Sequence, residues 1–265
     1  MTTLRLASAT LLLLGASAVA SAADDVASDY WVRVMPSAWF VGFDGKAKYT
    51  ADGTTGDKLS LDDLDLANQE AGFGLEVSAK LPILFSFHAG GYVVGTDGSF
   101  NATGVDFGGK TFNGSVDSSI DVSDLYGEAD LQLLDLDLVG FAIGVGYHFM
   151  NTEVKLSGGG NSASLNEDFQ FPVVALRAHA NLPFLTSLGA EAKVHWMDLS
   201  LNDTSVGYLD ATLQITWRPW EMLGFIGGYR YVAADIGFDN PAGGNADAYV
   251  DITLAGPFLG LTAQF

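Results

Sequence analysis

The chain has no cysteine, which excludes disulfides, thiolate metal centres and a lipoprotein anchor. Basic residues are scarce: 12 Lys and Arg stand against 32 Asp and Glu, a net charge of -20. A surface of that sign repels phosphate backbones, so no nucleic-acid partner is expected. Beyond its first residues the sequence has no apolar window near the roughly 20 residues that a membrane helix needs. No repeat of fixed period, linker or composition break divides it, so one domain is expected. High acidity often accompanies disorder. Here 48% hydrophobic residues, 12% aromatics and 32 Gly indicate a folded, turn-rich β protein instead.

The N-terminus opens on Met1 to Arg5, continues through the apolar stretch Leu11 to Leu14 and reaches Ala18-Val19-Ala20-Ser21-Ala22. A positive start, a short apolar core and small residues at an A-x-A site describe a secretory signal peptide over 1–22, with cleavage after Ala22. Losing Arg5 leaves 11 basic residues against the same 32 acidic ones, so the mature chain, 23–265, carries about -21.

Period-two alternation then recurs from Tyr30 to the C-terminus. It is clearest where Val139, Phe141, Ile143, Val145, Tyr147 and Phe149 oppose Gly140, Ala142, Gly144, Gly146 and His148. The pattern predicts strands near 30 to 43, 71 to 81, 83 to 96, 119 to 133, 137 to 150, 168 to 182, 187 to 199, 204 to 217, 221 to 237 and 248 to 265. Short connections alternate with longer polar ones at 44 to 70, 97 to 118, 151 to 167 and 238 to 247, with a short exception at 199 to 204. The expected fold is all-β, a transmembrane antiparallel up-and-down β-barrel of about ten strands, with eight or twelve as alternatives. Aromatic belts are expected from Trp31, Trp217, Trp220 and Phe265 at the short-turn rim, and from Phe43, Phe149, Phe169 and Trp196 at the other.

The final stretch, Gly260-Leu261-Thr262-Ala263-Gln264-Phe265, resembles the C-terminal insertion signal of bacterial outer-membrane β-barrels. Gly260, Leu261, Ala263 and Phe265 carry the resemblance; Phe258 replaces the polar residue usual two places before the Gly. The likeness implies export by the signal peptide, insertion by the barrel-assembly machinery, and a Gram-negative outer membrane as the location. Outer-membrane lipids and lipopolysaccharide would then surround the chain.

With the lipid face fixed by alternation, the opposite face carries Arg33, Glu76, Ser78, Lys80, His88, Glu128, Asp130, Gln132, His148, Arg177, His179, Glu191, Lys193, His195, Asp210, Thr212, Gln214, Arg218, Arg230, Asp251 and Thr253. Six Lys or Arg balance six Asp or Glu. Simple hairpin register sets Glu76 beside His88, Glu191 near Arg177 and His179, His195 beside Asp210, and Arg230 between Asp210 and Asp251. These nine residues form a predicted charge ladder that fills the lumen. His195 with Asp210 has the composition of an orienting dyad, but no Ser stands beside it on that face, so a structural pair is the expectation.

Among the loops, Ser60-Leu61-Asp62-Asp63-Leu64-Asp65-Leu66 offers the carboxylates Asp62, Asp63 and Asp65 as hard oxygen ligands. It lacks the Gly and the spacing of a calcium loop, and reads as a helical turn capped by Ser60 with its leucines laid over the barrel mouth. Gly158-Gly159-Gly160 has no Lys-Ser/Thr partner and reads as flexible loop; no cofactor is expected. The expected function is a non-enzymatic envelope barrel, structural or a narrow small-solute channel. A surface binding protein acting through acidic loops is the alternative, and a membrane-embedded hydrolase the third.

Overall fold

The computed structural model describes residues 30–50, 56–81, 84–136, 138–182, 187–201, 204–239 and 247–265. The predicted signal peptide, 1–22, lies outside the described residues. Eleven strands follow in order: β1 (Val32–Thr50), β2 (Lys58–Ser60), β3 (Gln69–Lys80), β4 (Phe85–Phe107), β5 (Lys110–Asp135), β6 (Val139–Gly158), β7 (Asn161–Asn181), β8 (Leu188–Leu201), β9 (Thr204–Trp217), β10 (Leu223–Asp239) and β11 (Asp247–Gln264). Ten of them form one closed antiparallel barrel, each beside its sequence neighbour, while the three-residue β2 continues the edge of β1 beyond β3. The barrel closes where β1 pairs β11, from Arg33 opposite Gln264 to Thr50 opposite Asp247. Phe265 completes that seam: its carbonyl accepts from Trp31 N at 2.8 Å, and its N–H donates to Val32 O at 2.9 Å.

Two stretches predicted as loops are strand up to their turns, and β1 runs on to Thr50 within the predicted connection 44 to 70. β4 and β5 continue to a turn of Gly108 and Gly109, with Phe107 paired to Lys110. β6 and β7 continue to Gly159 and Gly160, with Gly158 paired to Asn161. Both glycines of each turn have positive φ, 56° and 72° in the first and 59° and 82° in the second. That is the two-residue geometry whose twist suits a tight hairpin, so the glycine run at 158 to 160 is a defined turn, not slack chain. At roughly 3.3 Å per residue, the 26 residues of β5 reach more than twice as far as the roughly 9–11 that a tilted strand needs to cross a bilayer. The barrel therefore has a short-turn end and an extended end, tallest along β4 to β7.

The reason those segments look like loops is a reversal of polarity along the strands. On β6 the outward residues are apolar through Phe149 and then become Asn151, Glu153, Lys155 and Ser157. Its inward residues are small or polar through His148 and then become Met150, Val154 and Leu156, interrupted only by Thr152, all buried. β5 turns over at the same level, from Asp124, Tyr126, Glu128 and Asp130 inside to Val122, Ile120 and Val116. The lower half is thus apolar outside and charged inside, and the upper half is the reverse.

An apolar core fills the upper interior, built from Val41, Phe43, Ile120, Val154, Phe169 and their neighbours. Phe43 and Phe169, expected in an outer aromatic belt, belong to this core at 3% and 4% exposure, whereas Phe149 and Trp196 remain on the outer wall. The chain between β2 and β3 closes the mouth. Ser60 Oγ accepts from Asp63 N at 3.0 Å, Leu66 N donates to Leu61 O at 2.8 Å, and Leu61, Leu64 and Leu66 are fully buried. Ser118 Oγ on β5 donates to Leu64 O at 2.6 Å, tying this plug to the wall.

The hairpin turns lend themselves to a direct test. A Cβ at Gly160 would meet no atom within 4 Å, so a substitution there acts through the backbone alone. Gly160→Val is expected to destabilise the barrel by about 1–2 kcal/mol, the cost of left-handed geometry for a residue with a side chain, read as a lowered denaturant midpoint with unchanged spectra.

Candidate functional site

The charged lower interior is the one concentration of chemistry-bearing groups in the described chain. It is assembled from nine strands, because every inward position of a closed barrel faces the axis. Arg177 on β7 is its hub. Its guanidinium donates to Glu191 Oε1 at 2.7 Å, Glu128 Oε2 at 3.2 Å, and both Glu76 Oε1 and Asp130 Oδ2 at 3.3 Å. Arg33 on β1 reaches the other oxygen of Glu191 at 2.9 Å. Lys193 on β8 donates to Glu76 at 2.8 Å and to the Tyr126 hydroxyl at 2.9 Å, and that hydroxyl donates to Glu76 at 2.6 Å. Charges this deep are tolerable only when paired and hydrogen-bonded.

Small residues on β6 make the pairing possible. A Cβ at Gly140 would lie 2.0 Å from the His179 ring, and one at Gly144 would lie 1.9 Å from Asp130 Oδ1. Glycine at these two positions leaves the volume that His179 and Asp130 occupy. His88 reaches Asp130 Oδ2 at 3.3 Å and Ser78 Oγ at 2.8 Å. Toward the apolar core, Arg230 holds Asp210 in a two-pronged contact at 2.6 and 3.1 Å. Its guanidinium lies 4.4 Å from the Tyr92 ring and 5.3 Å from that of Trp39. A chamber of about 60 Å³ separates these groups from Lys193 and Gln214, lined also by Thr212. It exceeds the roughly 10–15 Å³ that a cavity needs to hold a water.

At the top of the charged zone lie His148 and His195, both 0% exposed. His148 Nδ1 faces both oxygens of Asp124, at 2.9 and 3.1 Å. His148 Nε2 meets His195 Nδ1 at 3.0 Å, and His195 Nε2 meets Glu128 Oε2 at 2.8 Å. His195 does stand opposite Asp210 in register. Its ring nitrogens nevertheless serve His148 and Glu128 while Asp210 serves Arg230, so the two form no dyad.

Of the nine predicted ladder residues, Glu76, His88, Arg177, His179, Glu191, His195, Asp210 and Arg230 lie on the inner face. Asp251 does not. It lies on the outer face of the upper barrel, opposite Asp235 on β10 and Lys46 on β1, and Arg230 pairs Gly256 instead. Asp251 shares the parity of outward Leu259 and Leu261. Its polarity suggests an inward position only because the outer face above the reversal is itself polar. There burial, then the Asp251 charge, raises the Asp235 carboxyl above its ordinary range. Asp62, Asp63 and Asp65 stay exposed on the solvent side of the plug, with Asp65 in a left-handed conformation at φ 57°.

Five further buried residues line the site without belonging to the predicted ladder: Asp124, Tyr126, Tyr208, Tyr92 and Trp39. Asp124 and Tyr126 continue the parity of Glu128 and Asp130 along β5, a signal present in the sequence. Tyr92 and Trp39 were hidden because an aromatic residue in a barrel strand reads as lipid-facing.

This geometry predicts a sharp difference in coupling. Replacing Arg230 with Met leaves Asp210 buried without its cation, at a cost of about 3–5 kcal/mol. A double-mutant cycle between Arg230 and Asp210 is expected to show strong coupling. One between Arg230 and Asp251 should be additive within about 0.5 kcal/mol. Arg177→Met, which abandons four carboxylates, should prevent recovery of a heat-stable barrel.

No protein-family model and no curated protein sequence matches the chain. Among solved structures, the outer membrane protease OmpT from Escherichia coli superposes with a TM-score of 0.59 at 9% identity, covering 90% of this chain and 98% of that one. The toluene transporter TodX from Pseudomonas putida gives 0.35 at 11% identity over 90% of each chain. The attachment invasion locus protein Ail from Yersinia pestis gives 0.32 at 11% identity over 88% and 99%. Identities this low speak to fold alone. The chain has the fold of the outer-membrane β-barrels, in its closed ten-stranded antiparallel form.

Proposed function

We propose that the protein is a non-enzymatic, non-conducting barrel of a Gram-negative outer membrane, exported by its signal peptide and inserted by the barrel-assembly machinery. Its role in this reading is structural, holding a tall, rigid, polar β-palisade above the lipid. The observation that carries it is the filling of the interior at two successive levels. Ions would have to pass the Arg177 network, where each cation is already held by carboxylates at hydrogen-bond distance, and then the apolar core beneath Leu61, Leu64 and Leu66. Dewetted apolar packing is itself a barrier to ions. The channel alternative loses support accordingly.

A hydrolase reading would need a nucleophile or an activated water beside an accessible base. His148 and His195 are sealed under the apolar core, out of reach of a substrate. The binding-protein alternative keeps one specific support. The outward rows of β4 to β7 above the reversal present Asp97, Asp117, Asp121, Glu153 and Asp168 on neighbouring strands. A polyvalent cation or basic partner is the chemistry such a face would attract.

Two measurements test the reading. Purified protein in a planar bilayer is expected to give no discrete conductance steps; regular openings would replace the structural role with that of a channel. On fractionation the protein should follow the outer membrane and migrate faster on gels when unheated. Truncating Phe265, whose backbone closes the seam to Trp31 and Val32, should reduce the folded fraction. Recovery of the intact chain in the soluble periplasmic fraction would overturn the location.

A further inference from the structure

We propose that the sealed interior contains a proton-binding site, in which the chain Asp124, His148, His195, Glu128 holds one proton more than two neutral histidines supply, carried as an imidazolium on His148. Three hydrogen bonds link the four side chains, at 2.9, 3.0 and 2.8 Å. Each bond requires one hydrogen between its two heavy atoms. Ionised carboxylates contribute none and a neutral imidazole contributes one. Two neutral histidines therefore complete only two of the three links, and the third needs a proton drawn from water as the barrel forms.

The surroundings place that charge on His148. Its ring is stacked between Tyr126, at 5.2 Å and 20°, and Phe171, at 5.6 Å and 1°. An imidazolium so placed meets an aromatic face on each side, the arrangement that attracts a cation. His195 instead meets the Tyr126 ring edge-on at 72° and follows Lys193 on the same inner face of β8. His148 Nδ1–H then donates to Asp124, His148 Nε2–H donates to His195 Nδ1, and neutral His195 donates through Nε2–H to Glu128.

The charged and titratable groups facing this chain come from β4, β5, β7, β8, β9 and β10, the first through Tyr92 near Asp124. β5 supplies Asp124 and Glu128, β7 supplies Arg177 on Glu128, and β8 supplies Lys193. β9 supplies Asp210 and the Tyr208 hydroxyl, which donates to Asp124 at 3.3 Å, and β10 supplies Arg230. Apart from Lys80 and Arg218 nearer the short-turn rim, which meet Asp135 and Gln264, the central network also lacks positive charge. Glu76, Asp124, Glu128, Asp130, Glu191 and Asp210 are six carboxylates, against four permanent cations in Arg33, Arg177, Lys193 and Arg230. An imidazolium at His148 removes part of that deficit at the point where the charged zone meets the apolar core.

The test is a count of ring protons. Protein labelled with ¹⁵N at histidine and folded in bicelles at pH 7 is examined by NMR, with His148→Gln and His195→Gln spectra giving the assignments. Three N–H protons are expected over the four ring nitrogens, with both nitrogens of His148 protonated and only Nε2 of His195. His195→Gln should leave His148 doubly protonated, because a glutamine carbonyl accepts its Nε2–H equally well. Asp124→Asn should convert His148 to the singly protonated form. Two N–H protons in the folded wild type, or a third proton on the carboxyl of Asp124 or Glu128 in a ¹³C spectrum, would overturn the proposal. If either variant fails to fold, His88→Gln and His179→Gln identify the four nitrogens of the pair by elimination, and the wild-type count then decides whether the extra proton is present.

Discussion

Closure of the sheet is the constraint from which the other features follow. A backbone surrounded by lipid has no water to satisfy it, so each N–H and C=O in the wall must find a partner on a neighbouring strand. The pairing of β1 with β11 over Arg33 to Thr50 removes the last free edge. Once the edge is gone, each residue has only two places to go, out or in. A wall that presents Phe, Leu, Val and Ile outward must send its polar residues into a confined interior, where they have to satisfy one another.

That confinement explains the composition of the lower interior. Ten strands enclose a space too narrow for bulk water, and each carboxylate there contacts a guanidinium, ammonium, hydroxyl or imidazole from a different part of the sequence. Glu76 and Lys193 are 117 residues apart, and Arg33 and Glu191 are 158 apart. These contacts span the barrel and cross-brace it, supplementing the strand-to-strand hydrogen bonds. Breaking one leaves a bare charge in a poorly hydrated space, so the network acts as a unit.

Much of the architecture was legible in the sequence because period two persists wherever a strand separates two environments. Val139 to Phe149 opposite Gly140 to His148 is that signal at full strength. It weakened where both environments changed together. Above the reversal the outward row becomes Asn, Glu, Lys and Ser, so composition imitates a loop although Val154 and Leu156 still alternate inward. Asp251 shows the same effect: it shares the parity of outward Leu259 and Leu261, and its carboxylate suits the outer face because that face is polar above the reversal. The pairings of Arg177 were only partly legible. Hairpin register reports neighbours, as with Glu191, but Glu128 meets Arg177 over the intervening β6 and Glu76 meets it from β3, four strands away. No local pattern encodes which side chains share a cross-section of a barrel.

The reversal of polarity along the strands has a mechanical consequence. Because outward Phe149 is followed two residues later by Asn151, and inward His148 by Met150, the wall carries a fixed waterline at one height. Sinking the barrel by a single pleat would push amide and carboxylate groups into hydrocarbon, and raising it would bare a ring of aromatic and aliphatic side chains to water. Membrane thickness can vary around such a protein, but the barrel has one depth at which it floats. In a membrane, lipids of a different length would have to stretch or thin to meet it, or the barrel would have to tilt.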